Sequence, residues 1–257
     1  MIQIKNAKEL DGMRRANALS AAALKYGGEH IEAGMTTWEL DKLIYDFIVR
    51  HGGKPNFKGL YGFPGTACIS LNDTVIHGIP SREQVIRPGD IVSIDTGAKV
   101  DGFNGDNACT YAVGKIDLEA RRLLDVTKEA LHLGIAQAVA GNRIGDISHA
   151  VQEYCEKAGF SVVREFVGHG TGKELHEDPE VPNYGNPGRG PRLVPGMTIA
   201  IEPMICQYDC KVKTLPDGWT VKTRDGGLAA HFEHSVAILK DRTEIMTIGW
   251  EDPDFTL

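Results

Sequence analysis

The sequence predicts an α+β fold made of two similar halves that share a largely antiparallel sheet and carry two pairs of helices. Three observations predict it. Blocks of sequence recur at an offset of 107 residues: the run from Ala33-Gly34 to Glu39-Leu40 matches that from Ala140-Gly141 to Asp146-Ile147, and the run from Pro88-Gly89 to Asp95 matches that from Pro195-Gly196 to Glu202. Several matches in one register point to a duplicated structural unit. Helix-period apolar patterns come in adjacent pairs instead of alternating with strands, which is α+β layering and not a doubly wound fold. The β-rich runs look hairpin-linked, with Asp101-Gly102 as the strongest turn signal.

The elements follow in order. A first helix is expected over 6–28. A second, over 36–51, places Leu40, Ile44 and Phe47 on one face and stops at His51-Gly52. Strands are expected over 66–71, then over 91–100 and 105–113 on either side of the Asp101-Gly102 turn. Helices over 117–140 and 144–158 form the second pair; the latter repeats the earlier face with Ile147, Val151 and Tyr154 and stops at Ala158-Gly159. Strands over 160–165, 198–206 and 232–239 complete the chain. No linker or low-complexity tract divides it, so residues 1–257 are expected to form one domain with halves of about 1–114 and 115–257. Glu202 then occupies the repeat position of Asp95, and the two carboxylates meet near the pseudo-twofold axis.

Composition excludes several functions. With 28 Lys+Arg against 35 Asp+Glu, the net charge of -7 gives no electrostatic reason to bind nucleic acid or anionic lipid as a main task. No apolar run approaches the roughly 18 residues of a membrane span. The N-terminus lacks the apolar segment and cleavage site of a signal peptide, so a cytoplasmic protein is expected. Five irregularly spaced cysteines agree with reduced thiols. Cys206 and Cys210 lack the second pair that a structural zinc site needs.

The chemistry is carried by acids and histidines at strand ends and glycine-rich turns. A two-residue turn at Asp101-Gly102 makes Asp106 face Gly97, so Asp95 and Asp106 become diagonal neighbours roughly 7 Å apart on one sheet face. Two aspartates so placed repel unless a cation lies between them, although two exposed aspartates beside a turn would read the same way. His169, flanked by Gly168 and Gly170, and His176 lie in a glycine-rich stretch whose spacing does not fit a phosphate-binding loop. Glu202 ends an apolar strand, and Glu233 lies inside another, where an unpaired carboxylate is costly. Two Asp, two Glu and one His suit a pair of divalent ions of the Fe, Mn, Co or Zn type, an arrangement of hydrolases.

With these motifs the chain resembles type I methionine aminopeptidases. The resemblance spans nearly the whole chain and rests on Val75-Ile76-His77-Gly78-Ile79-Pro80, Ile94-Asp95-Thr96-Gly97, Gly105-Asp106, Gly168 to Gly172, Ile201-Glu202-Pro203-Met204 and Phe232-Glu233-His234-Ser235. It implies the "pita-bread" fold with a curved sheet. It implies that Asp95 holds one metal, that Asp106 and Glu233 bridge, and that His169 and Glu202 hold the second. His77 and His176 would face the substrate, and Glu202 would also shuttle a proton to the leaving amine. Phe57, Leu60, Phe63, Cys68, Leu175 and Trp219 would surround a methionine side chain, although ordinary core packing explains the same residue types. A monovalent cation, Na or K, is implied near Asn72, Thr74 and Ala229. The absence of an N-terminal extension and of a long insertion between Glu202 and Glu233 matches the minimal bacterial form. Leu60, Tyr61 and Leu175 stand where many relatives carry Tyr, His and Phe. The implied activity is removal of the first methionine from nascent polypeptides with a small second residue, by a monomer in transient association with ribosomes. The competing readings are a proline-specific peptidase of the same fold and a binding protein that has lost catalysis.

Overall fold

The computed structural model describes residues Met1–Leu257. Its helices are α1 (Ala7–Glu29), α2 (Thr37–Arg50), α3 (Leu118–Gln137) and α4 (Ile144–Lys157). Side-chain oxygens of Asn6, Thr36 and Asp117 accept the backbone N–H three residues on, which fixes three of the helix starts. Helix α1 packs on α2 and α3 on α4, the two expected pairs.

The strands are β1 (Lys54–Pro55), β2 (Ala67–Leu71), β3 (Thr74–Ile76), β4 (Ile91–Val100), β5 (Phe103–Ala112), β6 (Ser161–Val162), β7 (Gly168–Gly170), β8 (Glu177–Val181), β9 (Thr198–Ile201), β10 (Met204–Cys206), β11 (Val212–Thr214), β12 (Val221–Thr223), β13 (Ala229–His231), β14 (Glu233–Ile238) and β15 (Thr243–Ile245). One curled sheet runs in the order β1-β4-β5-β14-β9-β7-β8, with β2 beside β4 and β15 beside β14. Its strand pairs are antiparallel. The helices cover it, and Leu24, Ile44, Ile94, Leu131, Ile147 and Ile201 are fully buried in the core between them.

The duplication is visible in backbone detail. Both bounds of α4 lie 107 residues after those of α2. The same offset relates Gly34 to Gly141, with φ of 101° and 102°, and Gly89 to Gly196, with φ of 94° and 92°. It also relates the isolated bridge Thr36–Val85 to Arg143–Arg192. Glycine recurs at those two turns because the left-handed φ they require penalises any Cβ.

Other boundaries differ from the sequence expectation. The strand expected over 198–206 breaks at Glu202-Pro203, because proline offers no N–H to continue a ladder. Its first half, β9, stays in the large sheet, while β10 leaves it to pair with β13 and β6. The strand expected over 160–165 shrinks to β6, and the helix expected to reach 140 ends at Gln137. All five cysteines are unpaired. No helix is long and apolar enough to cross a membrane.

Candidate metal centre and substrate pocket

Five neighbouring strands each deliver one donor. Asp95 lies on β4, Asp106 on β5, Glu233 at the start of β14, Glu202 directly after β9 and His169 on β7. The Asp101-Gly102 turn sets the register as expected: Asp106 faces Gly97, and Asp95 faces Ala108. Ala108 in turn faces Glu233 across β14, and Cys68 of β2 faces Asp95. Residues paired across a sheet share a face, so Cys68, Asp95, Ala108 and Glu233 form one row.

The electrostatics of this face are unfavourable without cations. Burial raises Asp95 to about 7 and Glu202 to about 8. Burial, then the neighbouring carboxylates, pushes Asp106 and Glu233 well above the carboxylate range. Burial lowers His169 to about 3, so its imidazole is neutral near pH 7. Its Nδ1–H donates to the Gly170 carbonyl at 2.8 Å, which leaves the Nε2 lone pair facing Asp106 Oδ2 and Glu202 Oε1, each at 3.6 Å. That distance is too long for a hydrogen bond, and a neutral ring makes no ion pair. Asp95 Oδ1, Asp106 Oδ1 and Glu233 Oε1 are buried without a partner. Ligand atoms of Asp106, His169 and Glu233 lie within 4.8 Å of one another. Orphaned acceptors converging on one small volume are the donor set of divalent cations, whose charge reverses the penalty.

An apolar slot adjoins the acids. Phe57, Phe63, Cys68 and Leu175 form a separate buried cluster, with Leu60, Ile79 and Trp219 packed against it. With the acids and His77, His169 and His176, all of these except Ile79 line a cavity of about 490 Å³. His77 sits at its wall in a left-handed conformation, φ 57°, with Phe166 and Trp219 edge-on to its ring. Burial lowers His77 to about 4 and also lowers His176. His176 packs edge-on to His169, with ring centroids 4.4 Å apart. The turn that carries Leu175 and His176 is held from both sides. Asn104 Nδ2 donates to the carbonyls of Gly172 and Lys173 at 3.0 and 2.8 Å. On the other side Lys5 Nζ meets Glu177 Oε2 at 2.6 Å.

Residues 11–240 match the profile of metallopeptidase family M24. The methionine aminopeptidase of Clostridium acetobutylicum is 52% identical over 248 residues, 96% of this chain and 99% of that protein. Methionine aminopeptidase 1 of Bacillus subtilis is 49% identical over 247 residues, again 96% and 99%. The chain belongs to metallopeptidase family M24. The crystal structure of methionine aminopeptidase from Thermotoga maritima superposes with a TM-score of 0.94 at 45% identity, covering 96% of this chain and 99% of that one. A prolidase from Pyrococcus horikoshii reaches 0.76 at 23% identity, covering 95% of this chain and 63% of that one, which shows the shared fold alone. Family M24 enzymes are metal-dependent, and the orphaned donors described above fit divalent cations.

Sequence reasoning passed over some residues of this M24 site. Phe166 and Ile76 line the cavity. His231, on β13, is 1% exposed and leaves Nε2 without a hydrogen-bond partner, 3.6 Å from Glu202 Oε2. Its signal was its place two residues before Glu233; the break between β13 and β14 at Phe232 hides the relation. A second group joins His132 of α3, His234 of β14 and Glu251. Lys128 Nζ already meets Glu251 Oε1 at 2.9 Å and His132 Nε2 at 3.0 Å shares that oxygen, so the group is an ion-pair clasp for the C-terminal turn.

Proposed function

We propose that this M24 metallopeptidase removes the N-terminal methionine from new polypeptides whose second residue is small. The observation that carries the reading is the apolar slot of Phe57, Phe63, Cys68 and Leu175, set directly against a five-donor centre. Asp95 would hold one metal, Asp106 and Glu233 would bridge, and His169 and Glu202 would hold the second. Fe, Mn, Co and Zn all suit these donors. Bound divalent ions supply Lewis-acid polarisation of the scissile carbonyl and lower the pKa of water.

The chain's own residues do the rest. Phe57, Leu60, Phe63, Cys68, Leu175 and Trp219 enclose the methionine side chain, whose burial is worth roughly 1.5–3 kcal/mol. His176, neutral because it is partly desolvated, donates a hydrogen bond to the developing oxyanion. His77 hydrogen-bonds near the scissile amide nitrogen. Glu202 takes the proton released by the attacking water and delivers it to the leaving amine. A monovalent cation, Na or K, would be held near Asn72, Thr74 and Ala229; the Ala229 N–H donates to the Asn72 carbonyl at 2.9 Å, which keeps these residues together. The reading includes nascent chains as partners, transient ribosome association and a cytoplasmic monomer.

The test is kcat/KM across a peptide set with one fixed metal. Met-Ala, Met-Gly and Met-Ser should be cleaved well, and Met-Lys, Met-Phe and Leu-Ala poorly. A hydrophobic pocket separates such side chains by about 1–3 kcal/mol. Leu-Ala or Met-Lys within about threefold of Met-Ala, below 1 kcal/mol, would make this a broad aminopeptidase. Preferential cleavage before proline would favour the prolidase reading.

A further inference from the structure

We propose that His231 is a positioning residue for Glu202, donating from Nε2 to Oε2 and so holding Oε1 towards the metal side of the site. The inference rests on Glu202 being a metal ligand, as proposed above. It starts from an unexplained atom. A buried nitrogen without a partner forfeits its hydration, so a native structure needs a use for it. His231 is 1% exposed, and its Nε2 is such an atom.

Geometry points that atom at one group. The two Glu202 oxygens face two different imidazoles. Oε1 lies 3.6 Å from His169 Nε2, and Oε2 lies 3.6 Å from His231 Nε2. His169 also faces Asp106 Oδ2, so Oε1 is turned to the volume where the metal donors converge. His231 reaches Glu202 from the other oxygen, away from the one that His169 faces. Its place is therefore behind the carboxylate rather than on the cation.

Both partners are held for this role. The His231 N–H donates to Thr110 Oγ1 at 2.9 Å, and the Thr110 hydroxyl donates to the His231 carbonyl at 2.8 Å, which pins β13 to β5. The Glu202 carbonyl accepts from Asn183 Nδ2 at 2.9 Å. With both backbones fixed, a small change of side-chain torsion closes 3.6 Å to a bond when a cation draws Glu202 into place. Outer hydrogen bonds to ligating carboxylates orient the ligand, and their removal typically costs 10–100-fold in metal affinity.

The experiment measures metal affinity, not only turnover. Metal-free wild type, His231→Leu, His231→Gln and Glu202→Gln are titrated with Mn(II) or Co(II) by calorimetry, with thermal unfolding as the fold control. We expect His231→Leu to bind the weaker-held ion about 10–100-fold less tightly. His231→Gln, which keeps a donor, should stay within about threefold of wild type. In the Glu202→Gln background, adding His231→Leu should change affinity no further, because the two act as one unit. Wild-type affinity in a folded His231→Leu protein would overturn the inference alone. Wild-type affinity in Glu202→Gln would overturn the ligand assignment beneath it. If His231→Leu does not fold, equal weakening by His231→Gln and His231→Asn would likewise overturn it, since only the longer amide can replace the donor.

Discussion

Replacing Lys5 by Met keeps the apolar stem but strips the cation from a carboxylate directly beside His176. The Lys5 and Glu177 side chains are 6% and 10% exposed, and their charged atoms lie 2.6 Å apart. Removing one partner of a buried pair costs about 3–5 kcal/mol, because the other charge is left uncompensated. Two features lower that figure here. Glu177 Oε1 keeps a hydrogen bond from the Glu174 N–H at 3.3 Å, and the pair lines a cleft that admits water. The expected cost of Lys5→Met is therefore about 2–3 kcal/mol. Combining it with Glu177→Gln removes both charges and should bring stability back to within about 1 kcal/mol of wild type. The Glu177 carboxylate also fills the space against Gly172, where a Cβ would stand 2.3 Å from Oε1. A Glu177 that swings out to water loosens the turn under Leu175 and His176, so kcat should fall in Lys5→Met with metal content unchanged. The assay is urea unfolding of wild type, both single variants and the double at fixed metal, beside kcat for Met-Ala-Ser. A Lys5→Met cost below about 0.5 kcal/mol, the value of an exposed pair, would refute the reasoning. So would a double variant whose loss equals the sum of the singles.

Two further outcomes follow from the site and from the Glu251 clasp. Asp106→Asn or Glu233→Gln should leave less than about a tenth of wild-type kcat, a barrier change above about 1.4 kcal/mol, in a protein whose circular dichroism is unchanged; higher residual activity would remove those residues from the bridging role. Glu251 lies well below the carboxylate range; despite its own burial, which opposes the shift, hydrogen bonds from His132, His234 and Lys128 hold it there, and the Glu251 hydrogen bond raises His132 in turn. A depressed acid stabilises above its unfolded pKa and loses that contribution as pH falls, while a raised histidine stabilises below its unfolded pKa and loses it as pH rises. The stability difference between wild type and Glu251→Gln should therefore peak between about pH 4.5 and 6.5, at about 1–2 kcal/mol given the half-exposed Lys128 and His132. A difference that grows steadily from pH 4 to pH 9 would contradict this.

What the sequence reveals about the site depends on what sets each geometry. Where a short turn sets it, the sequence suffices: Asp101-Gly102 fixes the β4–β5 register, and with it the relation of Asp95 to Asp106. The 107-residue repeat places Glu202 at the position equivalent to Asp95 for the same reason, since the Pro-Gly turn that opens each strand is local. Where the geometry depends on partners distant in sequence, no pattern announces it. Cys68 falls beside Asp95 only through the pairing of β2 with β4, two strands that no tight hairpin joins. That pairing is what merges the apolar slot and the acids into one cavity. The turn under His176 is held by Asn104 and by Lys5, whose partners lie 68 or more residues away. His231 carries an ordinary strand signal, because its value lies in facing Glu202 across the break that Pro203 introduces. The residues legible in advance are thus those whose chemistry is costly wherever they sit, the buried acids above all. The residues that aim them are polar groups of common type, and only the assembled sheet distinguishes them from their neighbours.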